Sequence, residues 1–281
     1  MEDQELRALE FEQHRSQLRS VAYRMLGSLH EADDAVQETW VRFARTDTSD
    51  VDNLGGWLTT VCGRVCLNML RARVNRREEL AGQFMPDPVV WLDDKPSPED
   101  EALLADSVGL ALHVVLETLA PAERLAFVLH DMFGMPFEEI APLVGRSTDA
   151  TRQLASRGRR RVQGAAVPDA DLNEQRRVVE SFFAAARDGD LDRLVAVLAH
   201  DVVLRTDSGV RVTGPETVAS RAMMFADPLR IVQHAIVNGA AGALITVDGD
   251  PFSVMAFTVV SGRIVEIDVI AEPERLARVA P

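Results

Sequence analysis

The sequence is poor in the residues on which cross-linking, metal binding and membrane insertion depend. It has two cysteines in 281 residues, Cys62 and Cys66. Two thiols make only half of a four-ligand zinc site. They fall four apart on a predicted helix, a spacing that suits two small buried apolar side chains. No metal and no cofactor is expected. The one tyrosine, Tyr23, stands near the N-terminus, and no tryptophan follows Trp91. No apolar run approaches the roughly 18 residues that a membrane span needs. The stretch "PFSVMAFTVVSG" reads as a strand instead. The N-terminal "MEDQELRALE" lacks the basic-then-apolar order of a signal peptide. A cytoplasmic protein with no membrane partner is therefore expected. Basic charge is also short: 30 Lys and Arg face 44 Asp and Glu, a formal net charge of −14. Such a surface repels polyanions, which excludes non-specific nucleic-acid binding by the whole molecule.

The basic residues that are present are clustered. Residues 51–80 hold five basic and three acidic side chains, and residues 141–170 hold six and two. Between them, residues 81–140 hold two and twelve. Two positive islands in an acidic chain allow two focused contacts with a polyanion. The hydrophobic content of 47% and charged content of 26% are ordinary for a globular chain. The length exceeds one small core and implies two or three domains.

The first half reads as helical. "GSLHEADDAVQETWVRFAR" opens with Ser28 and has Glu31 three residues later, the pattern of a capping box. Ala32, Val36, Trp40 and Phe43 then form an apolar stripe at helical spacing. Asp33, Asp34, Gln37, Glu38 and Val41 lie largely beside it. After the turn-rich "TDTSDVDNLGG", a long helix is predicted from about Trp57 to Arg77, with Leu58, Val61, Val65 and Met69 inward. It carries Arg64, Asn68, Arg71, Arg73 and Arg76. Residues 81–102 hold several prolines and many acids and cannot form a continuous helix.

Helical pattern resumes near Leu103. "FEEIAPLV" ends at Gly145, a residue suited to a left-handed turn, and Pro142 within it predicts a kink. Ser147 can cap the next helix, with Asp149 favourable in its first turn. Thr151, Leu154, Ala155, Gly158 and Val162 recur at helical spacing and face inward. Arg152, Gln153, Ser156, Arg157 and Arg160 fall mainly on the other side. This is the layout of a helix-turn-helix. Arginine and glutamine suit base edges, and arginine and serine suit phosphates. The last hundred residues change character. "NEQRRVVESFFAAARDGDLDRLVAVLAHDVVL" reads as two helices hinged at Asp188–Gly189. Four β-rich runs follow, "RIVQHAIVN", "GALITVDG", "FSVMAFTVVSG" and "RIVEIDVIA", punctuated by glycine.

Three ordered segments resemble one family. "AYRMLGSLHEADDAVQETWVRF" resembles the core-polymerase-binding segment of the extracytoplasmic-function (ECF) sigma factors. "GWLTTVCGRVCLNMLRARVNRRE" resembles their promoter-melting helix. "LAPAERLAFVLHDMFGMPFEEIAPLVGRSTDATRQLASRGRRRV" resembles their upstream-element-binding helix-turn-helix. The C-terminal part resembles the SnoaL/NTF2-like cone, a fusion typical of the actinobacterial sigma-J and sigma-I type. "GQFMPDPVV" is similar to that type's Pro-acid-Pro linker, and "AEPERLARV" to its Asn-Pro-Asp-Lys-Leu tail motif, with Pro273 and Leu276 kept and Glu272 in place of Asn. The type's glycine-rich "DGGGK" stretch appears only as "TDSGVR".

The resemblance implies a multi-domain chain: two all-α sigma modules, the second with a helix-turn-helix, followed by an α+β cone. The corresponding segments are residues 1–80 (region 2), 81–102 (linker), 103–165 (region 4) and 172–281 (SnoaL/NTF2-like). It implies binding of core RNA polymerase through Asp33, Asp34, Gln37, Glu38 and Val41. It implies promoter DNA contacts through Arg64, Asn68, Arg71, Arg73 and Arg76, and through Ser147, Thr148, Arg152, Gln153, Ser156, Arg157 and Arg160. Pro86, Asp87, Pro88, Pro273, Arg275 and Leu276 are the expected interdomain regulatory contacts. A small-molecule ligand of the C-terminal domain is a further candidate partner. No catalytic residue is expected. Asp207, His234 and Asp268 are the acid–base candidates for the rival reading, a SnoaL-like cyclase or isomerase with a DNA-binding appendage. A helix-turn-helix regulator that never meets polymerase is the other rival. The acidic capped helix at 28–43 argues against both, since neither needs it.

Overall fold

The computed structural model of the chain describes residues 2–77, 85–92, 109–224, 227 and 229–279. They fall into two compact units. The first takes its residues from 1–81, 98–106 and 115–164, the second from 82–97, 107–114 and 165–281.

The first unit is all helical. It opens with α1 (Glu2–Leu26), α2 (Leu29–Arg45) and α3 (Leu54–Arg77). Ser28 has an extended backbone, and its hydroxyl accepts from the Glu31 N–H. The Glu31 carboxylate, expected to return to the cap, instead meets the Arg73 guanidinium. The stripe of α2 faces inward, with Ala32, Ala35, Val36 and Phe43 buried. Phe11 of α1 packs edge-on against Trp40 at 5.2 Å and stacks on Phe43 at 6.1 Å. Burial of each such ring contributes about 1.5–3 kcal/mol.

Helix α4 (Gly109–Glu117) crosses the division between units. It is followed by α5 (Pro121–Phe127), which runs into a π-turn at Val128–Met132. Then come α6 (Phe137–Val144) and α7 (Thr148–Val162). Gly145 ends α6 at φ 68°, ψ 41°. Nothing lies near its missing Cβ, so glycine is needed there for conformation and not for space. Helix α6 continues two residues past Pro142 before that stop. The Ser147 hydroxyl accepts from the Ala150 N–H and caps α7. Gly158 is the opposite case: a Cβ there would lie 3.0 Å from Phe127, so its absence lets α7 approach α5.

The second unit is α+β. Helices α8 (Leu172–Asp188) and α9 (Leu191–Val197) are joined at Gly189, which is left-handed at φ 70°. The strands are β1 (Val90–Trp91), β2 (Leu198–Thr206), β3 (Arg211–Thr213), β4 (Arg230–Val237), β5 (Ala240–Val247), β6 (Asp250–Val260) and β7 (Arg263–Ile270). They form one sheet in the order β1-β4-β5-β6-β7-β2-β3, with β2 and β7 parallel and the other pairs antiparallel. Register shifts in three of these pairs bend the sheet. Helices α10 (Pro215–Met224) and α11 (Pro273–Val279) complete the unit. Val179, Phe182, Leu194, Phe257 and Ile267 are among its core residues.

Three details differ from the sequence reading. The second helix of the hinged pair stops at Val197, and "LAHDVVLRT" is a strand. Strand β1 forms within the proline-rich linker, and α10 forms where no element was expected. Of the linker, residues 81–84 and 93–102 lie outside the described residues.

Candidate functional site

Three surfaces carry the residues singled out in the sequence. On α2, the buried stripe turns Asp33, Asp34 and Gln37 to solvent, with Glu38 and Val41 half-buried at the edge. Asp33 pairs with Arg19 at 2.8 Å, and Glu38 pairs with Arg42 at 2.9 Å. Both pairs are exposed and cost little to exchange for another cation.

On α3, Arg64, Asn68 and Arg71 are exposed at i, i+4 and i+7, one face of the helix. None has a hydrogen-bond or ion-pair partner among the described residues. Arg73 leaves that face. Its guanidinium donates to the Leu26 carbonyl at 2.9 Å, pairs with Glu31 and lies 3.7 Å from Glu117. Its side chain is 13% exposed, so it acts inside the helical unit. The Arg76 side chain lies outside the described residues. Cys62 and Cys66 lie opposite, both buried and reduced. The hydrogen bond that the Cys66 thiol shares with Cys62, together with burial, pushes that thiol well above the ordinary range, so it is a packing group.

On α7 the arginines divide into two sets. Arg157 and Arg161 both reach Glu123 of α5, at 2.8 and 3.2 Å, and Arg159 donates from Nε to Asp131 at 2.8 Å. Glu123 is buried, and two guanidinium groups offset the cost of burying its charge. These three arginines fasten α7 to α5 and to the π-turn that follows it. Gln153, Ser156 and Arg160 are exposed at i, i+3 and i+7 and have no partner among the described residues. Arg152 borders them, bonded to Asp149 at 2.9 Å and Glu138 at 3.3 Å. Thr148 opens the helix half-buried beside the exposed Ser147. Arg146, which the sequence reading passed over, is exposed just before the cap, and its side chain also has no partner among the described residues. Its signal was its position ahead of a helix N-terminus, where phosphates are favoured.

In the second unit the structure brings Pro86, Asp87 and Pro88 to α11. Arg275 donates to Asp87 at 2.9 Å and to the carbonyls of Met85 and Pro86 at 2.8 and 3.0 Å. Leu276 and Val279 are buried, while Pro273 starts α11 exposed. Asn238 clasps the same segment, accepting from the Val89 N–H and donating its own N–H to the Val89 carbonyl, both at 2.9 Å.

The acid–base candidates do not converge. His234 is exposed on β4. Asp268 is buried and held by Arg205 at 2.7 Å, and Glu266 joins that pair at 2.7 Å. Burial alone would lower the Arg205 pKa, but the two carboxylates outweigh it and raise it. Burial raises the Glu266 carboxyl, with Arg205 opposing. Asp207 accepts the N–H groups of Ala271 and Glu272 at 3.0 and 2.9 Å. Each carboxylate is committed to the fold.

Residues 11–76 match the Sigma-70 region 2 model and residues 109–162 the Sigma-70, region 4 model. The chain is 40% identical to the ECF RNA polymerase sigma factor SigJ of Mycobacterium tuberculosis, over 95% of this chain and 92% of that one. It is 35% identical to the probable ECF RNA polymerase sigma factor SigI of the same species, over 94% and 92%. The crystal structure of M. tuberculosis SigJ superposes with a TM-score of 0.78, covering 96% of this chain and 98% of that one at 35% identity.

Proposed function

The chain belongs to the ECF RNA polymerase sigma factors of the SigJ and SigI type, and from that premise we propose how its surfaces divide the work. It binds core RNA polymerase and directs it to promoter DNA; it supplies specificity to another enzyme's chemistry. The observation that carries this reading is the pairing of both sigma-70 regions with near full-length similarity to SigJ. The functional segments are residues 1–80, 81–102, 103–165 and 172–281.

The exposed acids of α2, Asp33, Asp34, Gln37 and Glu38, meet a basic surface of polymerase, with Val41 adding apolar contact. The Arg64–Asn68–Arg71 face follows the displaced promoter strand, where backbone charge and unstacked bases are both within reach. Ser147, Thr148, Arg152, Gln153, Ser156 and Arg160 lie on the upstream duplex. Arg157 and Arg73 serve by positioning these faces. The C-terminal unit modulates activity through its hold on residues 85–91, and no catalytic role is proposed for it. No helix among the described residues is long and apolar enough to cross a membrane, and action on polymerase places the protein in the cytoplasm.

The test is transcription from genomic fragments by purified core polymerase, with and without this protein. Discrete start sites are expected only when it is added. The double variant Asp34→Lys, Glu38→Lys should lose co-purification with core while its helical content is unchanged. Full retention of core by that variant would remove α2 from the interface.

A further inference from the structure

The second unit contains a half-open cavity of about 790 Å³ that the promoter-directing role leaves without a purpose. It lies between α8, α10 and the sheet. Its walls are largely apolar, with Phe182, Phe183, Leu204, Ile245 and Met255 among them. The volume is within the range of small-molecule sites, roughly 300–1,000 Å³.

The charged groups at this cavity are unequal in what they can still bind. Of the acids, Asp207 already accepts two backbone N–H groups, Asp227 accepts the Leu229 N–H at 2.9 Å, and Glu272 is exposed. Of the cations, Arg230 is laid over the Phe252 ring at 4.2 Å. Arg187, in the last turn of α8, and Arg221, in the last turn of α10, also line the cavity. Neither has a hydrogen-bond or ion-pair partner among the described residues. An apolar chamber with two uncommitted guanidinium groups matches a ligand with an apolar body and one oxyanion, which arginine recognises with paired donors.

The cavity is also joined to the linker. Asp207 lines it, and the Asp207 side chain is 3% exposed. Its Oδ2 holds the N–H groups that start the approach to α11 and lies 4.0 Å from the Arg275 guanidinium. Arg275 in turn holds Asp87 and the carbonyls of Met85 and Pro86. A shift at Asp207 thus reaches the linker through one shared cation.

We propose that this cavity binds a small apolar molecule bearing one carboxylate-like anion, received by Arg187 and Arg221, and that occupancy is passed to residues 85–92 through Asp207 and Arg275. This rests on the reading of the C-terminal unit as regulatory, but its test needs no polymerase. A bound molecule alters the linker only if it favours one arrangement of that contact over another.

The experiment uses the full chain and the fluorescent aromatic sulfonate 1-anilinonaphthalene-8-sulfonate. Saturable one-to-one binding is expected, with decanoate displacing the probe at about tenfold lower concentration than decanol. That preference should vanish in Arg187→Ala, Arg221→Ala and return in Arg187→Lys, Arg221→Lys. Hydrogen exchange of residues 85–92 should change on saturation with decanoate. In Asp207→Asn it should stay constant while decanoate still binds. Probe binding that never saturates, or equal displacement by decanoate and decanol, would overturn the ligand class. Unchanged exchange at 85–92 in the wild-type chain with decanoate bound would overturn the coupling. Either failure leaves promoter-dependent transcription intact, which separates it from failure of the sigma-factor reading.

Discussion

At the scale of single residues, the arginines of α7 show that side chains within one turn of a helix can have unlike tasks. Arg157 is tied to Glu123, whereas Arg160 faces solvent with no partner among the described residues. Arg160→Ala should weaken binding to all promoter sequences alike and reduce the salt slope by about 1, the mark of a lost phosphate contact. Arg157→Ala should leave base preference unchanged and lower stability by less than about 1 kcal/mol, because Arg157 is itself half-exposed and Arg161 still neutralises the buried Glu123. Fluorescence anisotropy over a salt series distinguishes the two. In the other unit, Asp268→Asn should cost about 3–5 kcal/mol, since it leaves Arg205 buried without its main partner. Glu266→Gln should behave differently. The Glu266 carboxyl is raised above its ordinary 4.5 by burial. A folded carboxyl that holds its proton to higher pH than the unfolded one stabilises at low pH, and that contribution is lost as pH rises through the folded value. The variant should therefore gain on the wild type as pH rises above 4.5. Urea midpoints at pH 5 and pH 7.5 would show it, and a constant difference would contradict it.

At the scale of elements, the linker strand and the last helix of the second unit act as one device. Strand β1 is only two residues long, Val90 pairing with Val237 and Trp91 with Ile236. So short a strand cannot hold a sheet edge alone. Asn238 and Arg275 supply the rest, and Trp91 is buried as a result. Arg275→Ala should free residues 85–92 without unfolding the cone. Hydrogen exchange there should accelerate about tenfold or more, as expected for losing a buried charge-assisted contact. Exchange in the centres of β5 and β6 should not change. Equal acceleration in all three strands would mean that Arg275 supports the whole unit and not the linker.

At the scale of the molecule, α3 and α7, the two helices proposed to face DNA, belong to one compact unit. Gly63 of α3 is in contact with this arrangement: a Cβ there would lie 3.1 Å from Leu129 and 3.3 Å from Leu125. Arg124 donates to the Met25 carbonyl at 2.8 Å and to Glu117 at 2.7 Å, which ties α5 to the end of α1. Gly63→Ala meets only the ends of two flexible leucines and should be tolerated. Gly63→Leu cannot be absorbed by such small shifts, since overpacking costs about 1–3 kcal/mol. It should separate α3 from α5 and increase the radius of gyration measured by small-angle scattering. An unchanged radius with unchanged stability would show that the two helices are held together elsewhere.

Much of this was legible in the sequence because it depends on neighbours along the chain. Ser28 and Ser147 announce helix starts through a hydroxyl and an N–H three residues away. Gly145 and Gly189 announce stops through a backbone angle that other residues resist. The exposed faces Arg64–Asn68–Arg71 and Gln153–Ser156–Arg160 follow from helical period and from the buried stripes behind them. Strand β2 was not legible, because "LAHDVVL" satisfies helical and strand spacing alike, and only pairing with β7 decides between them. Nor was the fate of individual charges. Arg73 and Arg64 look alike in sequence, yet one is turned to Glu31, 42 positions earlier, and the other to solvent. Arg275 finds Asp87 across 188 positions. Periodicity determines which side of an element a residue occupies. Which residue waits on that side is decided by folding, because burial of a charge depends on the partner that the rest of the chain brings to it.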